Sequence, residues 1–384
     1  MSLSSILLKA KEIAVNVTAA EAMQADRDAV WVHQTMDALK HANLMGLVLP
    51  TEIGGMGQGL YGIVRVCEIL GSSYSSAGLC YGMHCVGSAV LAAKATDWQK
   101  QQYLVPIAEG KHITTLALSE ASTGAHFYFP QTTLTPAGEG ELIVKGIKTF
   151  VTNGSHANSY VVSTMAATSE ADASQFSCIV LDNGTKGMEW GKPWDGLGMR
   201  GNSSCSLDLD YVRIKERQVL GEKGDQLWYI FNIVAPYFLM AMAGTYLGIA
   251  AAAMREAENT IKKRTYSHNG VRLSSVPLLQ HRIGTMWGRL EATRQLIYAA
   301  ALSADRGEPE SLPSVLAAKA MVADCAVDTV NEAMTLAGGI GYASNSYLGM
   351  LLRDARASHV MSPTTDLLFT WIGRTLMEQP LLSD

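Results

Sequence analysis

The sequence predicts an α+β chain, mainly α, with an N-terminal helical domain over residues 1–112, a small β-domain over 113–223 and a C-terminal helical domain over 224–384. Three observations predict it. Apolar residues recur at helical spacing from residue 4 to about residue 111. From Ile113 the composition switches to β-branched or alternating segments separated by Gly, Asn, Asp and Pro. From about Gly224 the helical period returns and holds to Leu382. Helices, then strands, then long helices imply separate units and no alternating βαβ order, which argues against a Rossmann nucleotide site.

In the first unit, residues 31–42 read as an amphipathic helix, and 44–50 lead into the tight loop Gly54-Gly-Met-Gly57. Further helices are expected over 61–71 and 75–95, and another from Asp97, with Asp97 as its cap, to 104. The strands expected in the middle are 114–119, 140–148, 159–165, 177–182 and 205–211. The most apolar run, 233–254, carries no charged residue. Its Gly, Thr, Tyr and Pro content favours a buried bundle helix over a membrane span. Near the C-terminus a helix over 325–336 ends at Gly338, Gly339 and Gly341, where glycine permits the left-handed turn that stops a helix. A short helix then carries Arg353, Asp354 and Arg356. Ser362-Pro363-Thr364 reads as an N-cap with an N1 proline, opening a helix over 365–377. Unpaired N–H groups at such a start, beside a glycine turn, suit an anion or a polarised carbonyl.

Hydrophobic residues make up 48% of the 384 and charged ones 17%, a composition that suits an oligomer with buried helical faces. The net charge of −5, with no basic run, argues against nucleic acid as a partner. Lys9, Lys11 and Glu12 interrupt an N-terminus that has neither a signal-peptide nor a transit-peptide pattern. The six cysteines are scattered without a C-x-x-C, as expected of reduced thiols in a cytoplasmic protein and not of a metal site.

Three motifs in the middle unit bear on chemistry. Ser119-Glu-Ala-Ser-Thr-Gly124 follows an apolar strand and offers hydroxyls and N–H groups at its end. Gly146-Ile-Lys-Thr-Phe-Val-Thr-Asn-Gly154 sets Phe150 and Thr152 two apart, on one strand face, where an aromatic and a hydroxyl can meet a flat heterocycle. Gly196-Leu-Gly-Met-Arg-Gly201 is a flexible basic loop.

In order and spacing these blocks, with the Gly338–Thr365 stretch, resemble the acyl-CoA dehydrogenase family. The first is similar to its Thr-Glu-Pro flavin loop, the second to its Trp-Ile-Thr-Asn flavin strand and the third to its Gly-x-Arg-Gly-Ser loop. The resemblance runs from Gly54 to Arg374. It implies a four-helix bundle at the C-terminus, a homodimer or homotetramer, FAD as cofactor, an acyl thioester of CoA or an acyl carrier protein as substrate, and an electron-transfer flavoprotein as partner. It further implies that Leu118, Ser119, Phe150 and Thr152 hold the flavin in one subunit. The dimer mate would add Lys263, Thr265, Tyr266 and the Gly338-Gly339 turn, with Thr364 and Asp366 near the cofactor.

The departures are informative. Ala121 stands for the loop proline, Phe150 for the strand tryptophan, Ala125-His126 for a Ser-Asp pair, Lys263 for an arginine and Thr335 for a glutamine. Lysine meets a phosphate as a point charge, without the arginine fork. Above all, the Tyr-Glu-Gly-Thr box, whose Glu is the usual base, reads Met361-Ser362-Pro363-Thr364. The alternative family position for the base, on the helix opening the last unit, corresponds to Tyr237. A serine hydroxyl needs an activating partner to act as a base at neutral pH. Besides Ser362 and Tyr237, the candidates are Asp366, four residues on, and His84, in a segment matching the family's acyl pocket. The expected function is dehydrogenation of the α,β bond of an acyl thioester. The alternatives are a flavin oxidase or monooxygenase, a non-redox enzyme on the same fold, and a non-catalytic partner subunit.

Overall fold

Helices, strands and helices follow one another in the computed structural model, which describes residues 1–124, 126–165, 176–222 and 224–382. Ala125, one of the two residues that depart from the Ser-Asp pair, lies outside the described residues. The first block holds α1 (Leu3–Ile13), α2 (Ala19–Asp28), α3 (His33–His41), α4 (Leu60–Gly71), α5 (Ser75–Ala93), α6 (Asp97–Gln99) and α7 (Val105–Ala108). Helix α5 is apolar on nearly every face and buried from Ser75 to Leu91, so it runs through the middle of the fold. The cap of helix α6 is Thr96, one residue before the expected one. Thr96 accepts from the Gln99 N–H (3.2 Å) and Gln99 accepts from the Thr96 N–H (3.0 Å), a reciprocal arrangement that Asp97 does not make.

Among the described residues eight strands form two four-stranded sheets. Sheet one has the order β1 (Thr114–Ala117), β4 (Ser159–Met165), β5 (Phe176–Asp182), β8 (Val219–Leu220). Its first pair is parallel and its others are antiparallel. Sheet two, all antiparallel, has the order β2 (Thr133–Gly138), β3 (Glu141–Val151), β7 (Cys205–Lys215), β6 (Met188–Trp190). Three of these strands, β2, β6 and β8, go beyond the sequence expectation. All lie at sheet edges, and β2 contains Pro136, which a sheet tolerates only at its margin.

The last block holds α8 (Gln226–Tyr229), α9 (Ala235–Lys263), α10 (Pro277–Asp305), α11 (Ser311–Ala337), α12 (Tyr347–Val360) and α13 (Thr365–Leu376). A π-helical turn, Ile230–Val234, joins α8 to α9 just before Pro236. Proline lacks the N–H for the regular ladder, and the turn widens there. The apolar run of 233–254 is mostly buried inside the fold. Helix α9 packs against α4 and α11. It approaches α4 so closely that a Cβ at Gly244 or Gly248 would strike the carbonyls of Val64 or Glu68. Thr364, not Ser362, caps α13: its hydroxyl accepts from the Leu367 N–H, which leaves Ser362 and Pro363 in the link between α12 and α13.

Candidate functional site

Where the end of β1, the end of β3, α5, the start of α9 and the α12–α13 link converge, they enclose a cavity of about 630 Å³. Leu118, Ser119, Thr149, Phe150 and Thr152 form one wall, and Met361, Ser362, Pro363 and Phe238 are on the wall as well. Leu79 and Met83 add apolar surface from α5, and Trp194, Arg353 and Arg356 add to its lining.

The first wall is held from behind. The Thr149 N–H donates to the Ser119 carbonyl (2.8 Å), tying β3 to the loop after β1. Lys148, fully buried, donates to Glu120 (2.6 Å), the Leu118 carbonyl (3.3 Å) and the Ser163 hydroxyl (3.2 Å). Glu120 also accepts from the N–H groups of Gln131 and Thr132 and from the Thr132 hydroxyl. Burial alone would raise Glu120, but the Lys148 charge and these hydrogen bonds outweigh it and hold the carboxyl below its ordinary value.

Phe150 does not follow the simple alternation expected of it. The β3–β7 register shifts between Lys148 and Val151, and Phe150 adopts φ +56°, a left-handed conformation uncommon for a bulky residue. The bulge turns its ring outward, 65% exposed and edge-on to Trp194. The strand ends at Val151, and Thr152 is buried, 3.3 Å from the Ser204 hydroxyl. Both residues still reach the cavity wall, by a bulge and not by a shared strand face. Beside them the Thr149 hydroxyl is buried with no hydrogen-bond partner among the described residues. A cavity with an aromatic edge, hydroxyls and one unsatisfied donor is suited to a flat ligand with a polar rim.

The second wall is organised by α12. Its Arg353 pairs with Asp26 of α2 and donates to the Leu197 carbonyl (2.9 Å). Asp354 accepts from the Met199 N–H (2.7 Å) and from the Ser75 hydroxyl, and burial pushes its carboxyl up to about 6. Gly198 lies so close to the Arg353 carbonyl that no side chain fits there. The Gly196–Gly201 loop is thus docked on α12.

Of the candidate bases, only Ser362 is on the cavity wall. His84 is fully buried between α5 and β1. Its Nε2 donates to the Met45 carbonyl (2.9 Å) and its Nδ1 accepts from the Thr114 N–H (3.2 Å). Burial pushes it down to about 4, so it is a neutral bridge and not a group titrating near neutrality. Met83, its neighbour, faces the cavity instead. Asp366 sits exposed in the first turn of α13, and because Ser362 is outside that helix the two share no helical face. Tyr237 packs partly buried against the core, while Val234, Ala235 and Phe238 meet the cavity. The sequence reading missed Phe238 by one position, a turn of about 100° around the helix, and the phase of the buried apolar residues in α9 is the signal that could have found it.

Lys263, Thr265, Tyr266, Gly338 and Gly339 gather elsewhere. Arg264 donates to the Ala337 carbonyl (3.2 Å), joining the end of α9 to the glycine turn after α11. With a rise of 1.5 Å per residue, this end of α9 is roughly 40 Å along the helix from Phe238. All five are exposed, as are Ile340 and Tyr342 next to them. Thr364 is occupied as the α13 cap.

Three family models match consecutive parts of the chain: the acyl-CoA dehydrogenase N-terminal domain over residues 4–111, the middle domain over 115–212 and the C-terminal domain over 239–377. The chain is 26% identical over 371 residues to a probable acyl-CoA dehydrogenase, YngJ, of Bacillus subtilis, covering 96% of each protein. Its fold is similar to the butyryl-CoA dehydrogenase of Megasphaera elsdenii, with a TM-score of 0.92 and 23% identity over 98% of this chain and 99% of the other. It is also similar to PigA, solved as an FAD complex, with a TM-score of 0.88, 21% identity and 98% coverage of both chains.

Proposed function

The chain belongs to the acyl-CoA dehydrogenase family, and from that premise we propose that it is an FAD-dependent dehydrogenase acting on the α,β bond of an acyl thioester whose α-carbon is already acidified by its own substituents. The observation that carries this reading is the cavity itself. Ser119, Phe150 and Thr152 share one apolar enclosure with Ser362, Phe238 and Met83. Leu118, Ser119, Phe150 and Thr152 would hold the flavin ring. A dimer mate would supply Lys263, Thr265, Tyr266, Gly338 and Gly339, a role that their exposure and distance from their own cavity support. Thr364 and Asp366 would lie near the same cofactor. The bound flavin supplies a hydride acceptor.

The chain's own groups do the rest. The N–H of residue 362 orients the thioester carbonyl and draws charge onto its oxygen, which weakens the α-C–H bond. That donor survives any side-chain change at this position. Phe238, Met83 and Leu79 receive the acyl group and exclude water. Among the described residues the one carboxylate on the wall is Glu120, and Lys148, Thr132 and Gln131 already hold it. By the resemblance, Ser362 would stand at the position of the family's usual base, and a hydroxyl there is a poor proton acceptor at neutral pH. An unactivated acyl chain would therefore react slowly, and a functionalised one, with its lower α-pKa, suits this site. The thioester is carried by CoA or by an acyl carrier protein, a homodimer or homotetramer completes each flavin site, and an electron-transfer flavoprotein takes the electrons. Six buried free cysteines support a cytoplasmic location.

The lack of a free carboxylate favours one second reading, a flavin monooxygenase or oxidase on the same fold. One experiment separates the two. The purified flavoprotein is mixed anaerobically with a panel of acyl-CoA and acyl-carrier thioesters, plain and α-functionalised. Bleaching of the flavin band by a functionalised thioester is expected. No bleaching by any thioester, with NAD(P)H-supported oxygen uptake, would establish the second reading. Failure to retain FAD at all would remove both.

A further inference from the structure

Lys319 is fully buried in α11 and makes no ion pair among the described residues. Its Nζ lies 2.7 Å from the Ser358 carbonyl, 3.2 Å from that of Met361 and 2.9 Å from that of Pro363. These three carbonyls bracket residue 362. The first belongs to the last turn of α12, whose C-terminal carbonyls are the negative end of the helix dipole. The other two belong to the irregular link, where no helix or sheet ladder can satisfy them. We propose that Lys319 is the positioning residue of the site, an ammonium clasp that fixes the 358–363 link and so aims the N–H and side chain of residue 362 into the cavity. The role at residue 362 rests on the dehydrogenase reading, but the clasp does not.

The stoichiometry argues for an ammonium and against a neutral amine. Three carbonyls need three donors, and –NH₃⁺ has three, whereas –NH₂ has two and would turn a lone pair toward the third oxygen. Burial is the cause that pushes the group down to about 8, because no carboxylate faces it to oppose the shift. Burying a cation without an anion is costly. A chain needing only to fill this space would do better with methionine or leucine. Two other ionisable groups beside the link are already engaged, while Arg356 of α12 lines the cavity. His359 is 3.0 Å from Asp324 of α11, and Asp354 is bound to Met199 and Ser75. Tyr246 of α9 reaches the Met361 sulfur. Lys319 reaches the link's backbone on both sides of residue 362.

Hydrogen exchange of the holoprotein tests this directly. Lys319→Met keeps the side-chain length and removes the charge. The variant should bind FAD with wild-type stoichiometry and keep protection in α9 and α11, while amides 358–365 lose about tenfold or more of their protection. In the same preparation the saturating rate of thioester bleaching should fall by about 10², the order expected when an oxyanion donor is misplaced. Lys319→Arg should restore part of both. Unchanged protection of 358–365, or a loss spread evenly over α11 and α12, would overturn the clasp. If Lys319→Met does not fold, a pH series on the wild-type holoprotein decides. After correction for intrinsic hydroxide dependence, exchange of 358–365 should step up between pH 7 and 9, and a flat profile would overturn the proposal. If no thioester bleaches the wild-type flavin, the dehydrogenase reading falls, and the exchange results still decide on Lys319.

Discussion

Two buried lysines stand behind two parts of one cavity wall, and they are held in opposite ways. Lys148 backs the Leu118–Glu120 loop and meets a carboxylate. Lys319 backs the 358–363 link and meets only carbonyls. In the first case the charge is neutralised on site, and Glu120 in turn organises Gln131 and Thr132. In the second the cation is offset only by dipoles. The same residue type thus meets an anion on one side and only dipoles on the other, and burial pushes both ammonium groups down to about 8. The ion-paired side is where a cofactor ring would rest, and the dipole-bound side is where the reacting carbonyl would be aimed.

The largest expected effect comes from changing what the link presents. Ser362→Glu puts a carboxylate on the cavity wall, and the bleaching rate with a plain acyl thioester should rise about 10²–10⁴-fold, the usual worth of a general base. An unchanged rate would mean that the link does not aim residue 362 at the α-carbon. Next comes the difference between the lysines. Lys148→Met strands the buried Glu120 charge and should cost about 3–5 kcal/mol in denaturant unfolding, with most of it recovered in Lys148→Met/Glu120→Gln. If the double variant were as unstable as the single, the pair would not be what holds that wall.

His84 sharpens the comparison through pH. Its folded pKa, about 4, lies below its ordinary value of 6.5. Folding therefore favours the neutral ring. The stability this contributes is present above pH 6.5 and is lost as pH falls through 4, about 3 kcal/mol in all. His84→Gln should flatten unfolding free energy across that window and leave the neutral-pH rate profile without a missing limb. The smallest effect belongs to Asp366→Asn. It should change stability by less than about 1 kcal/mol, through the dipole at the start of α13, and leave bleaching unchanged.

The order of the three blocks was readable because helical and strand periods differ along the chain. The edge strands were not, since three-residue β6, two-residue β8 and the proline-bearing β2 carry too little pattern. Ser119, Phe150, Thr152 and Ser362 were singled out by motif, and all four line the cavity. His84 and Tyr237 failed on phase, because the next residue around a helix points elsewhere: Met83 and Phe238 took their places. Asp366 failed because the helix cap was set two residues early. Lys319 left no local mark, since the carbonyls it serves come from about 40 residues further on.

Helix α12 bears on how the molecule comes apart. Arg353 grips Asp26 in the first block, Asp354 holds the backbone of Met199 in the second, and the Trp31 indole of the first block donates to Asn153 of the second. Segments that are distinct along the chain are therefore laced together by buried and part-buried polar contacts. Excising any one block would leave polar groups of the others without their partners, so the fold is tied together where its sequence looks modular.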